Sequence, residues 1–120
     1  MIGSSLGSCA EIAGADFLFA SGYEILERNL HLGRLELDVV ARRGPLVVVA
    51  EVRTRGPGSF ERPFESISRS KRRRLRHAME RLWRTRLARM TDVDRVRVDA
   101  IAVDFRGGVT SVECAEGIEC

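Results

Sequence analysis

Leu35-Glu36-Leu37-Asp38-Val39-Val40, followed after a short turn by Leu46-Val47-Val48-Val49-Ala50-Glu51-Val52-Arg53, is the stretch that decides the fold of this chain. Both runs are built largely from the aliphatic and β-branched residues that suit strands, yet both carry carboxylates, which strands deplete. A carboxylate inside a sheet costs free energy unless it is paired, hydrogen-bonded or bound to a cation. Arg34–Arg42 and Leu46–Arg55 read as the arms of a β-hairpin, with Arg43-Gly44 as its two-residue loop. Opposed residues of an antiparallel pair share a face, as do alternate residues of one strand. With that loop Arg42 faces Pro45, Asp38 faces Val49 and Glu36 faces Glu51. Glu36, Asp38, Glu51 and Arg53 then all project to one side, an arrangement that a slip of one residue would break.

Working outward, Leu6, Cys9, Ala10, Ala13, Phe17 and Ala20 recur at helical spacing, which predicts a first helix from Leu6 to Ala20. Ser4 or Ser5 is its expected N-cap, and Gly22 ends the segment. Tyr23 to Leu30 reads as a strand. A second helix is expected from Ser68 or Ser70 to about Met90, with Leu75, Ala78, Met79, Leu82, Trp83 and Leu87 as its apolar stripe. Trp83 sits in that stripe, so core packing is favoured over base stacking. Val96, Val98, Ala100 and Ala102 alternate as a further strand, and Val109–Glu113 adds a short edge. The expected order is α-β-β-β-α-β with one more strand at the end, in a single domain over 1–120 with loose termini at 1–5 and 114–120.

The chain has 120 residues, 44% of them hydrophobic and 31% charged, enough for a core and too apolar for a disordered polyampholyte. No apolar run approaches a membrane span, so no membrane partner is expected. The first ten residues lack a basic region and a long apolar stretch, which argues against a secretory signal and for a cytoplasmic protein. Cys9, Cys114 and Cys120 form no C-x-x-C pair and read as reduced thiols rather than a disulfide framework or zinc site. Net charge is only +3, but ten of the twenty basic residues lie between Arg69 and Arg89, with Glu80 the one acid among them. A basic stripe on an acidic remainder is the electrostatic footprint of a polyanion binder. Arg73, His77, Arg81 and Arg84 form its exposed ridge, opposite the apolar stripe.

Carboxylates brought close together must share a proton, pair with a base or bind a cation. Asp and Glu oxygens make a hard site that suits Mg²⁺ or Mn²⁺. Such an ion beside a basic helix would give a metal-dependent nuclease. The alternative from spacing alone is a solvated sheet face on which Glu36, Asp38 and Glu51 pair with Arg34, Arg53 and Arg55. Spacing leaves these two readings level.

Asp38–x12–Glu51-Val52-Arg53 resembles the PD-(D/E)-x-K signature of restriction-endonuclease-like nucleases. More closely, the chain resembles the YraN family, bacterial proteins likened to archaeal Holliday-junction resolvases. The matching stretches run in order from Leu6-Gly7…Glu11 through Gly22–Asn29 and Glu36–Ala41. They continue with Glu51–Arg55, Phe60–Ile67, Lys71 and Arg97-Val98-Asp99. The resemblance implies an α/β, restriction-endonuclease-like core with a mixed central sheet flanked by helices. It implies Asp38, Glu51 and Glu11 as metal ligands and catalytic residues, Glu36 as support, and Mg²⁺ or Mn²⁺ as cofactor. Lys71 would contact phosphate, with Arg73, Arg74, His77, Arg81 and Arg84 completing a DNA-binding surface. A symmetric junction substrate would suit a homodimer.

Two departures stand out: Ala10 replaces the family's usual glycine before the helix glutamate, and Arg53 replaces the signature lysine. Arginine stays charged and cannot act as a general base, so Arg53 would clamp phosphate or offset the charge of Asp38 and Glu51. Three expectations follow. The first is a metal-dependent endonuclease-like protein acting on structured or branched DNA. The second is a non-catalytic nucleic-acid-binding protein that keeps the fold, and the third an adaptor whose acids only form salt bridges.

Overall fold

A computed structural model describes residues 6–55 and 67–118. Helix α1 (Leu6–Ala20) leads into strands β1 (Glu24–Leu32), β2 (Leu35–Arg43) and β3 (Leu46–Thr54). Helix α2 (Arg69–Thr85) then crosses to β4 (Arg95–Asp104), and β5 (Ser111–Ala115) follows. The strands form one sheet in chain order. All neighbours are antiparallel except β3 and β4, whose parallel pairing is made possible by the α2 crossover. The element order is the one expected from periodicity, and the mixed sheet flanked by helices is the one the resemblance implies.

The two helices cover opposite faces. Leu75, Ala78 and Leu82 of α2 pack on Val40, Val47, Val49, Val98 and Ala100. Ala10, Ala15 and Leu18 of α1 pack on Val39, Ala41, Val48, Ala50, Val52 and Ile101. β3 is covered on both sides, which explains its unbroken apolar run from Leu46 to Ala50. Gly14 lets α1 come close: a Cβ there would stand 2.9 Å from Val52 Cγ2. A mid-helix glycine costs about 1 kcal/mol, and here it secures contact between helix and sheet.

The hairpin loop differs from the expected one. Arg43 pairs with Leu46, so the turn is Gly44-Pro45 and the register moves by two residues. Gly44 supplies φ +60, which the turn requires. Pro45, unable to donate to the ladder, lies in the turn, and its carbonyl accepts from the Asp94 and Arg95 amides. Because strand side chains alternate with period two, the shift keeps the predicted parity where the strands pair, Val39–Arg43 with Leu46–Ala50. Beyond Val39, however, β2 turns over, so Glu36 does not share the face of Glu51 as expected.

Two other expectations need correcting. The second helix stops at Thr85 and continues only as a short 3₁₀ turn at Leu87–Arg89. The C-terminal stretch is tied down: Cys114 pairs with Ile101, the Gly117 amide donates to Asp99 Oδ1 (3.0 Å), and the Ile118 amide donates to Val98 O (2.8 Å). Cys9 and Cys114 are free thiols. Burial pushes Cys114 up to about 11, so it stays protonated at neutral pH. Ser4, Ser5, residues 60–66 and Cys120 lie outside the described residues. Ser68 is the N-cap of α2, its hydroxyl accepting from the Lys71 amide (3.1 Å).

Candidate metal centre

The site forms where β2 leaves β3. Their ladder ends at Val39↔Ala50, and in a continued register the Val52 amide would bond to Leu37. It donates instead to Asp38 Oδ2 at 2.9 Å, so the aspartate satisfies the orphaned strand amide and holds the fork. The strand also turns over there. Leu37 packs on the α2 side and Val39 on the α1 side, although alternate residues of a regular strand share a face. On β1 the matching point is Asn29, between the pairs Arg28↔Val39 and Leu30↔Leu37. Asn29 has φ 52, a left-handed backbone that asparagine tolerates better than most residues.

The fork lets acids from both faces meet. One carboxylate oxygen from each of Glu11, Glu36 and Asp38 lies within 4.8 Å of the other two. Glu11, carried by α1 and half-buried, has its carboxyl raised above the usual range by burial and then by the Asp38 charge. The Asn29 side chain offsets part of this by hydrogen-bonding Glu11.

Glu51 stands on the other side of Asp38, on the sheet face covered by α2, and is 3% exposed. Burial, then the Asp38 charge, push it up to about 7, opposed by Lys71. Lys71 Nζ lies 3.3 Å from Glu51 Oε1, and Arg53 Nη1 is farther at 3.8 Å. Glu51 Oε2 is buried and no donor group reaches it; when Glu51 carries its proton, the carboxyl hydrogen-bonds to Asp38, which adds to the rise.

Thus Asp38, Glu11 and Glu36 come together directly. Glu51 joins through Asp38 and its two cations. The fully carboxylate donor set and the unpartnered Glu51 oxygen fit a hard divalent ion such as Mg²⁺ or Mn²⁺.

The basic helix divides by role. Arg73, Arg74, His77 and Arg84 are exposed. Arg81, expected on the nucleic-acid surface, donates Nη1 to Leu32 O at 3.2 Å and ties α2 to the β1–β2 turn. Arg72 donates to Ile67 O, Arg76 pairs with Glu80, and Arg86 pairs with Glu27. Trp83 is half-buried against the α2-side core, so packing is its role. Among the described residues no helix is long and apolar enough to cross a membrane.

Asn29 was not singled out as a site residue from the sequence. Its signal is an asparagine near the end of a predicted strand, where that residue is depleted and where it takes a left-handed backbone more readily than most.

Residues 10–103 match the profile of a family described as Uncharacterised protein family UPF0102. A UPF0102 protein of Sorangium cellulosum is 52% identical over 101 residues, covering 84% of this chain and 70% of that protein. One from Streptomyces coelicolor is 37% identical over 116 residues, covering 95% and 88%. Another, from Beutenbergia cavernae, is 36% identical over 115 residues, covering 95% of each. The matched span takes in Glu11, both arms of the hairpin, α2 and nearly all of β4.

Proposed function

This chain belongs to the uncharacterised protein family UPF0102, the YraN family its motifs resemble, and we propose that it is a metal-dependent endonuclease-like protein acting on structured or branched DNA. The observation that carries this reading is the convergence of Glu11, Glu36 and Asp38 within 4.8 Å, beside a buried Glu51 with an unused oxygen. Asp38, Glu11 and Glu36 would hold the ion, with Glu51 adjoining them through Asp38. A bound Mg²⁺ or Mn²⁺ supplies Lewis-acid polarisation of a phosphodiester and a more acidic water.

The remaining work falls to this chain's own cations. Arg53 stays charged and at 3.8 Å offsets Glu51 rather than exchanging protons. Lys71 is the one lysine among twenty Lys and Arg residues, and it sits closer to Glu51 than Arg53 does. An ammonium is a compact point donor that a guanidinium does not replace. Lys71 therefore takes, from α2, the place beside the second acid that the signature gives to the residue of β3. The exposed Arg73, Arg74 and Arg84 supply positive charge for the DNA backbone.

The test is Mn²⁺ binding by calorimetry together with nicking of a four-way junction. Asp38→Ala is expected to abolish binding and lower nicking by at least about a hundredfold, the loss of several kcal/mol of metal assistance. Arg53 favours a second reading, nucleic-acid binding without cleavage. Metal and DNA binding by the wild-type chain with no cleavage of any junction, flap or single strand would select it.

A further inference from the structure

Next to the acid cluster lies a cavity of about 200 Å³ lined by Arg34, Leu35, Glu36, Lys71, Arg74 and Leu75. Its charges come from separate elements. Arg34 belongs to the β1–β2 turn, Glu36 to β2, and Lys71 and Arg74 lie three residues apart on one side of the first turns of α2. Leu75 is buried and Leu35 half-buried, while Arg34 and Arg74 are exposed. Among the described residues neither Arg34 nor Arg74 has an ion-pair partner. Three cations and one carboxylate, Glu36, thus line the cavity; Glu36 is shared with the acid cluster, and Lys71 also pairs with Glu51. Such a cavity favours an anion. It is smaller than the roughly 300–1,000 Å³ of ordinary small-molecule sites, which disfavours an enclosed nucleoside or cofactor.

We infer that this cavity binds a phosphate group of a nucleic-acid strand, next to the phosphate presented to the carboxylates. The inference rests on the nuclease-like reading and adds Arg34, outside the basic helix, as a binding residue. Two guanidinium forks and an ammonium match the oxygens of a phosphate. Glu36 makes the two sites neighbours: it faces the acid cluster and lines the cavity. The same chemistry is offered by an internal phosphodiester and by a terminal phosphomonoester.

Fluorescence anisotropy in Ca²⁺ buffer separates the two sources, using a short single-stranded DNA with and without a 5′-phosphate and a four-way junction, across a salt series. Arg34→Ala and Arg74→Ala are each expected to weaken binding roughly tenfold. Each should lower the salt slope by about 0.7 on single strands. Arg95→Ala, at the opposite end of the parallel pair, should change neither. Loss confined to the 5′-phosphorylated strand assigns the cavity to a terminal phosphate, and equal loss on every DNA assigns it to an internal one. Unchanged affinity and slope in both cavity variants would overturn the inference and leave the metal centre standing. Failure of the wild-type chain to bind any of the DNAs removes the cavity and the nucleic-acid reading together. Thermal melts of the variants check that the fold is intact, since both side chains are exposed.

Discussion

On β4, Asp99 is 1% exposed, and its carboxylate is fully engaged. Arg97 donates Nε to Oδ1 at 2.8 Å and Nη2 to Oδ2 at 2.9 Å, and the Gly117 amide adds a third bond at 3.0 Å. One strand away, Glu51 is 3% exposed, yet one of its oxygens is unpartnered and its proton is held to about pH 7. The two carboxylates have nearly the same burial and opposite provision. A buried acid that serves the fold is saturated with donors, because an unmade bond there costs the full desolvation of the group. A buried acid that serves a ligand keeps an oxygen open, and the fold bears the cost until the ligand arrives. Arg97 ties the first site further to Tyr23 Oη (3.2 Å) and Glu116 (3.4 Å), so three distant parts of the chain depend on Asp99.

The largest expected effect lies at the saturated site. Asp99→Ala removes the buried partner of Arg97 and the acceptor of the Gly117 amide, which should cost about 3 kcal/mol. Urea unfolding would show it, and a loss below 1 kcal/mol would erase the contrast with Glu51. Next comes the ion itself. At a hundredfold excess over its dissociation constant, Mn²⁺ should stabilise the wild-type chain by about 2.7 kcal/mol. EDTA should reverse this, and Asp38→Asn should not show it in a melting assay.

At Glu51 the sign inverts. Its folded pKa is about 7 against a reference value of 4.5, so the folded chain keeps a proton that the unfolded chain has already released. The associated stability is fully present below about pH 4.5 and is lost as pH rises through about 7. Glu51→Gln should therefore make the metal-free protein more stable at pH 8, on the order of 2 kcal/mol, and flatten the decline between those limits. Unfolding curves at several pH values would test it, and a destabilised variant at pH 8 would sink the open-site reading. The smallest effect belongs to a carboxylate of neither kind. Glu27, exposed and 3.3 Å from Arg86, should cost no more than about 1 kcal/mol when changed to alanine.

The faces of the paired part of the hairpin are legible in the sequence because alternation fixes parity, which tolerates a two-residue error in the loop. The shared face expected for Glu36 is lost where β2 turns over at Asp38. Strand alternation also singled out Asp38 and Glu51, as misplaced charge. Distances were not legible. The place of Glu36 beside Glu11 is not legible, because periodicity says which side a residue faces and not how strands part at their ends. The fork at Asp38 depends on a side chain replacing a ladder bond, and the left-handed Asn29 lies opposite it. Arg81 looked like any other arginine of the ridge; only the approach of α2 to the β1–β2 turn gives it a carbonyl to hold. Arg97-Val98-Asp99 was noted as a matching stretch, but the tail that Asp99 anchors lies eighteen residues later and carries no local pattern.

Gly14 works as a thickness gauge. The clearance between α1 and the sheet is set there by a methyl group that is missing, with Val52 on the far side of the gap. Glu11 rides on the same helix one turn earlier, and Val52 carries the amide that Asp38 holds. Both jaws of the acid cluster are therefore shimmed by one position that bears no functional atom. Sequence drift at residue 14 reaches the cluster mechanically, as a change of spacing, without altering the charge of a single side chain.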